Sequence, residues 1–372
     1  MRIRAAVLER AGGRLEIADL DLAPPGEGEV LVRVAAAGVC RSDRHVIDGA
    51  ARDPLPAVLG HEGAGIIEAV GPGVPAARVG TKVALAWARG CGACDVCRRG
   101  RPNLCFEGIA GGTLPSGGTR LSRNGAPVFH SWGVSCFATR AVVPASMAIP
   151  VPEETDLEVA ALVGCAATTG VGAVLKTARV VPGASAAVIG CGGVGLSILQ
   201  GLRLAGAAPI VAVDRGEVRL RAARAAGATD AVDALAGDPV AAVIQLTGGG
   251  ADYAFEAVGL PATVAQAVAM LGPAGVAVVA GMPAEGARLD LDLSVLWSGE
   301  RRILTSVYGS CDPREDFPRI LRYQQEGRLD LGSLVTRRYP LERINEAFAD
   351  LDAAGPGRGL VVMADSWHPA AS

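Results

Sequence analysis

The sequence predicts a two-part α/β chain, and three observations support this. The first third is rich in glycine and proline and carries the β-type runs EVLVRVAAAGV, AGIIEAVGPGV and TKVALAW. Turns separate these runs about every 8–20 residues, the texture of a compact, largely antiparallel β domain. From about Thr168 apolar strands alternate with Ala/Leu/Arg-rich helices, which indicates βαβ units and a doubly wound parallel sheet. The chain has 372 residues, 50% hydrophobic and 20% charged, so it is long enough for roughly two domains with a sizeable core.

The elements of the second part follow in order. AAVIG reads as a strand, GLSILQGLRLAG as a helix, PIVAVD as a strand, GEVRLRAARAAG as a helix and DYAFEAVG as a strand. A further helix then leads to the strand in GPAGVAVVAG. After Tyr308 the run DFPRILRYQQEGRLDLGSLVTRRYPLERINEAFADLDAAG reads as helical and polar, and GRGLVVMA as a last strand. Val180 to Leu202 holds no charged residue and meets the length rule for a membrane span. Pro182 and six glycines break that span into turn, buried strand, glycine turn and helix.

A net charge of −3 and a pI near 5.9 exclude the basic footprint that nucleic acid or an anionic membrane surface requires. A small-molecule partner is expected instead. Nine cysteines is an odd count, and MRIRAAVLER has no apolar signal core, so reduced thiols in a cytoplasmic protein are expected.

GCGGVG sets Gly190, Gly192 and Gly195 in G-x-G-x-x-G spacing, directly after a strand and opening a helix. The first glycine permits the tight turn. The second, with Gly193 and Val194 beside it, lets backbone approach a pyrophosphate at the helix N-terminus, and the third lets helix pack on strand. Asp214 ends the next strand, where a carboxylate accepts from adenosine ribose hydroxyls and repels a 2′-phosphate, so NAD is favoured over NADP. Arg215 and Arg219 follow it; Arg215 is the discordant residue, because arginine there can accept a 2′-phosphate.

CGACDVCRRGRPNLC places Cys91, Cys94, Cys97 and Cys105 in C-x2-C-x2-C-x7-C. Four thiolates so close enclose one tetrahedral Zn²⁺ with no open position, a structural rather than a chemical site. Arg98, Arg99 and Arg101 leave a nucleic-acid zinc ribbon as the competing reading, which one isolated lobe in an acidic chain disfavours.

GVCRSDRHV crowds Cys40, Ser42, Asp43 and His45 into six positions of a chain with four histidines, and His61 lies in the Gly-flanked turn GHE. Cys40 and His61 are metal-ligand candidates. The residues alone leave the third ligand open among Cys136, Cys165, Cys191 and Cys311.

These segments, with LGHEGAGIIEAVGPGV, LVGCAATTG, DYAFEAVG and PLERINEAFADL, occur in the order found in the zinc-containing alcohol dehydrogenases of the medium-chain dehydrogenase/reductase superfamily, which the chain resembles from about Ala5 to Val362. The resemblance implies a GroES-like catalytic domain, residues 1–166 and 309–372, around a Rossmann NAD-binding domain, residues 167–308. It implies two zinc ions per chain, the catalytic one held by Cys40, His61 and Cys165 with an open fourth position, the pattern for which alcohol dehydrogenase is a standard example. Glu62 is implied to lie behind that metal and ligate it in passing. Asp43 would accept from the outer nitrogen of His61. Ser42 would take the proton of the reacting alcohol and pass it by way of a cofactor ribose hydroxyl to His45. Arg41, and Arg358 from the far end of the chain, are implied to pair with the cofactor pyrophosphate.

Ala51, Trp87, Trp132, Met282 and Val307 fall by the same comparison near the substrate channel. Core packing is the competing reading for both tryptophans. The reaction expected is hydride transfer between NAD(H) and an alcohol/aldehyde or ketone pair, with a primary alcohol bearing an apolar or aromatic tail as substrate. Dehydrogenation of a formaldehyde–thiol adduct and reduction of a conjugated or iminium bond are the alternatives, and a non-catalytic member that keeps the fold is disfavoured by the intact ligand set Cys40, His61 and Cys165. GGTLPSGGTRLSRNGAPVFHSWGVSCF resembles the long insertion of the dimeric branch, so a homodimer is expected.

Overall fold

The computed structural model describes residues 1–353 and 355–363. Residues 364–372 of the expected catalytic part lie outside the described residues.

Five short strands, Arg2–Leu8, Leu15–Leu22, Leu121–Arg123, Ala126–His130 and Ala57–Val58, close a small barrel. The long insertion supplies two of them, joined at Asn124–Gly125. Both turn residues have φ near the left-handed region, 52° and 81°, as a two-residue hairpin requires. Beside the barrel lies a seven-stranded sheet centred on Glu29–Gly38. That strand reads as a continuous apolar run because it is covered on both faces and paired along its length with Glu62–Val70 and Arg140–Pro144.

The chain returns to this sheet at its end. Arg358–Val362 runs antiparallel to Glu29–Gly38, with Leu360 opposite Gly38. Val335–Pro340, VTRRYP, is a strand parallel to Arg358–Val362, whereas the sequence reading had placed it inside a helical run. Its Val, Thr and Tyr favour a pleated surface, and a partner some 20 residues downstream outweighs the helical texture on either side.

The second unit is a six-stranded parallel sheet in the order Asp230–Asp233, Ile210–Asp214, Ala186–Ile189, Ala251–Glu256, Leu271–Val279, Arg302–Thr305. Successive side chains serve two cores, as a period of two dictates: Ala186 and Val188 pack into one, Ala187 and Ile189 into the other. Strand order reverses beside Ala186–Ile189, and open α/β sheets bind ligands at the carboxyl ends of strands at such a point. The uncharged stretch resolves into the strand Ala186–Ile189 and the helix Gly193–Ala205. Among the described residues no single helix is long and apolar enough to cross a membrane.

Candidate active site

Three elements converge on one cluster. Cys40 follows the strand Glu29–Gly38 and caps the helix Arg41–Ile47. His61 directly precedes the neighbouring strand Glu62–Val70, and Cys165 caps the helix Ala166–Gly172. Ligand atoms of Cys40, His61, Glu62 and Cys165 lie within 4.8 Å of one another, all buried. Cys136, Cys191 and Cys311, also buried, stand outside this group.

Asp43 Oδ1 accepts from the Gly60 amide at 3.1 Å and lies 3.2 Å from His61 Nδ1, which leaves Nε2 for the cluster. The Cys165 thiol, donating to Cys40, holds Cys40 well below the ordinary thiol range despite its burial, with Arg358 and His61 adding to the effect. Burial pushes the Glu62 carboxyl up to about 7 against the pull of Arg358. Glu62 Oε1 accepts from Arg358 at 2.9 Å, and Oε2, without a hydrogen-bond partner, occupies the space a side chain at Gly38 would need. Two thiols, an imidazole and an orphaned carboxylate oxygen suit a thiophilic divalent cation such as zinc.

A second cluster gathers Cys91, Cys94, Cys97 and Cys105, their Sγ atoms likewise within 4.8 Å. Amides of Cys94 and Cys91 donate to Cys91 Sγ at 3.3 Å and to Cys105 Sγ at 3.4 Å, as expected for sulfurs that carry thiolate charge. This donor set is closed and holds four sulfurs, which fits zinc in a structural role.

At the glycine turn, Gly190 has φ 93°, and a side chain at Gly195 would sit 1.7 Å from the Gly190 carbonyl oxygen. A side chain at Gly192 would meet nothing within 4 Å, so the backbone there is open to a ligand above the N-terminus of the helix Gly193–Ala205. Asp214 accepts from the Cys191 amide at 2.5 Å and the Arg215 amide at 2.6 Å, and pairs with Arg219 Nη1 at 3.3 Å. It therefore locks the turn as well as presenting a carboxylate. The open backbone, the helix end and the strand-end carboxylate together fit a dinucleotide.

One cavity of about 640 Å³ runs from this turn to the Cys40–His61–Cys165 cluster. Gly190, Gly192, Gly193, Val194, Arg219, Arg41 and Arg358 line it, as do Ser42, Trp87, Trp132, Met282 and Val307, with the Trp87 and Trp132 rings 6.4 and 5.9 Å from the His61 ring. Two wall residues escaped sequence reasoning, Phe106 and Tyr308. Trp87 stacks on Tyr308 at 4.1 Å and on Phe106 at 6.0 Å, and meets Trp132 edge-on at 5.2 Å. Trp132 and Tyr308 both hold left-handed backbone, φ 54° and 55°, a strain that non-glycine residues sustain where the surroundings fix them. The two readings of Trp87 merge, since it is 8% exposed within the core and also faces the cavity. Phe106 directly follows the last cysteine of the second cluster, the one local signal that placed it near Trp87.

Two placements differ from expectation, those of Ala51 and of the Arg358 head. Ala51 packs against the core outside the cavity lining, its amide donating to the His45 carbonyl at 3.0 Å. The Arg358 head is turned inward to Glu62 and the Val39 carbonyl, leaving Nε unpartnered beside Gly193. Arg41 is paired with Asp352 at 2.8 Å. Ser42 Oγ lies 3.7 Å from Cys40 Sγ, and His45 is one turn further along the same helix face with Nε2 buried and unpartnered.

Residues 26–153 match the alcohol dehydrogenase GroES-like domain family, and residues 193–325 the zinc-binding dehydrogenase family. The structure of an alcohol dehydrogenase zinc-binding domain protein from Burkholderia ambifaria is 38% identical over 97% of this chain and 99% of that one, with a TM-score of 0.92. Benzyl alcohol dehydrogenase from Acinetobacter calcoaceticus is 36% identical over 98% and 100%, also with a TM-score of 0.92. A structure described as a short chain alcohol dehydrogenase from E. coli CFT073 in complex with NADH is 26% identical over 97% and 99%, with a TM-score of 0.81. With its two cysteine clusters and its glycine turn in one fold, this chain belongs to the zinc-type alcohol dehydrogenases of the medium-chain dehydrogenase/reductase superfamily.

Proposed function

We propose that the protein oxidises primary alcohols with a planar aromatic tail to aldehydes, using NAD and two zinc ions per chain. The observation that carries this is the wall of Trp87, Phe106, Trp132 and Tyr308 beside Cys40, His61 and Cys165, in a chain only 4% aromatic. Offset and edge-on ring contacts favour a flat aromatic guest, and the charged side chains that line the cavity among the described residues, Arg41, Arg219 and Arg358, are each paired with a carboxylate. A formaldehyde adduct of a charged thiol would find no partner there.

Zinc, when bound, supplies a Lewis acid at the alcohol oxygen, and the nicotinamide supplies the hydride acceptor. The protein's own groups do the rest. Cys40, His61 and Cys165 hold the metal, with Asp43 fixing the His61 tautomer. Ser42, on the cavity lining, accepts the hydroxyl proton, and His45 delivers it towards solvent. Cys91, Cys94, Cys97 and Cys105 hold the second, structural zinc.

The test is a kcat/KM survey of alcohols with each dinucleotide. Benzyl-type primary alcohols should rank above branched secondary ones. Trp87→Leu should lower that preference roughly tenfold, the scale of one ring–ring contact. Because Trp87 is also a core residue, the variant should lose about 3 kcal/mol of stability. An unchanged substrate ranking in a folded variant would overturn the aromatic assignment.

Asp214 supports NAD, although Arg219 offsets part of its charge. NAD should lead NADP by about 10- to 100-fold in kcat/KM, and Asp214→Gly should largely remove the preference. A native preference for NADP would overturn this.

We also infer a homodimer in the cytoplasm. All nine cysteines are free thiols. The sheet edge Arg302–Thr305 is unpaired and flanked by Trp297, 83% exposed, a surface suited to a second copy.

A further inference from the structure

Arg41 lines the same cavity as Gly192 and Gly193. Its guanidinium is already engaged, with Nη1 donating to Asp352 Oδ1 at 2.8 Å and Nη2 to the Leu351 carbonyl at 3.3 Å. The second oxygen of Asp352 pairs with Arg44 Nε at 3.3 Å. One carboxylate from the end of the helix Ile344–Asp352 thus sits between two guanidiniums, next in the chain to Leu351, which lines the cavity.

The neighbouring cation offers no substitute. Arg358 is 4% exposed and spent on Glu62 and the Val39 carbonyl. Of the two, Arg41 is the one with an exposed head, 47% accessible against 5%.

We propose that Asp352 competes with the cofactor pyrophosphate for Arg41, and so sets how tightly the dinucleotide binds and how fast it leaves. The proposal rests on the cofactor reading above. Two of the five N–H donors of Arg41 are engaged, so a pyrophosphate either takes the edge that Asp352 holds or shares the guanidinium with it; in both cases it settles near the negative charge of Asp352, and the ion pair weakens binding of the anion by competition and by repulsion. An exposed pair is screened, which limits the effect to a modest factor.

The experiment measures NADH and NADPH dissociation constants by fluorescence titration, and dissociation rates by stopped flow, on the full-length holoenzyme. Asp352→Asn, a surface change that keeps the side chain's shape, should tighten binding of the preferred dinucleotide roughly three- to tenfold and slow its release in proportion. In an Arg41→Gln background the same substitution should change little, since the two act through one contact. Binding that Asp352→Asn leaves unchanged or weakens would overturn the proposal, as would undiminished tightening in the Arg41→Gln background. Wild-type protein that bound neither dinucleotide would bring down the cofactor reading itself, an outcome distinct from either of these.

Discussion

Replacing Cys165 by serine is expected to lower turnover about 10³-fold or more while the protein stays folded. The hydroxyl is shorter than the thiol and stays protonated at neutral pH, so it cannot replace a thiolate in a site of two sulfurs and one imidazole. Cys165 is 6% exposed at a helix cap, and the change removes little volume, so the melting temperature should move by only a few degrees. Metal analysis should fall from two zinc ions per chain to one. A variant that kept a tenth of its activity, or both metals, would show that Cys165 is not a ligand.

Cys105→Ser should act in the opposite way. Its sulfur is buried at the end of the lobe, and the lobe has little else to hold it: the helix Asp95–Arg98 is one turn long, and Cys91, Cys94 and Cys97 are each only partly buried. Structural zinc contributes folding energy outright, although in a large chain the lobe can open locally and only part of that appears as global stability. A melting temperature lower by roughly 5–10 °C and one zinc per chain are expected. Activity should fall less than in Cys165→Ser, and with a changed substrate ranking, because Phe106 and Asn103 extend from the lobe to the pocket. Asn103 Nδ2 donates to the Val307 carbonyl at 2.9 Å. Unchanged melting and two retained metals would refute the closed site.

What could be read from the sequence was local. The glycine turn with Asp214 and the four-cysteine lobe are short-range spacings whose chemistry is contained in the spacing, and the strand–turn–helix setting of Gly190 needs no distant partner. What escaped was non-local. Nothing near Cys165 distinguishes it from Cys136 or Cys311; the choice depends on which turn reaches His61. VTRRYP became a strand because Arg358–Val362 was there to pair with it. Arg41 lines the cavity, but the Asp352 carboxylate that also holds it lies 311 positions away, beyond any local pattern. Tyr308 joined the pocket wall through a left-handed backbone turn that its residue type does not suggest.

The late return of the chain to its first sheet has a consequence for synthesis. Ala36–Gly38, at the end of the strand Glu29–Gly38, lack their second partner until Arg358–Val362 emerges, and Glu62 lacks its cation until the same moment. The metal pocket therefore stays unfinished while roughly the first 350 residues are made, and its closure is limited by long-range pairing. A premature stop within the last strand should be as damaging as one in the middle of the gene. Until that strand docks, the nascent chain exposes an apolar strand edge that chaperones would need to shield.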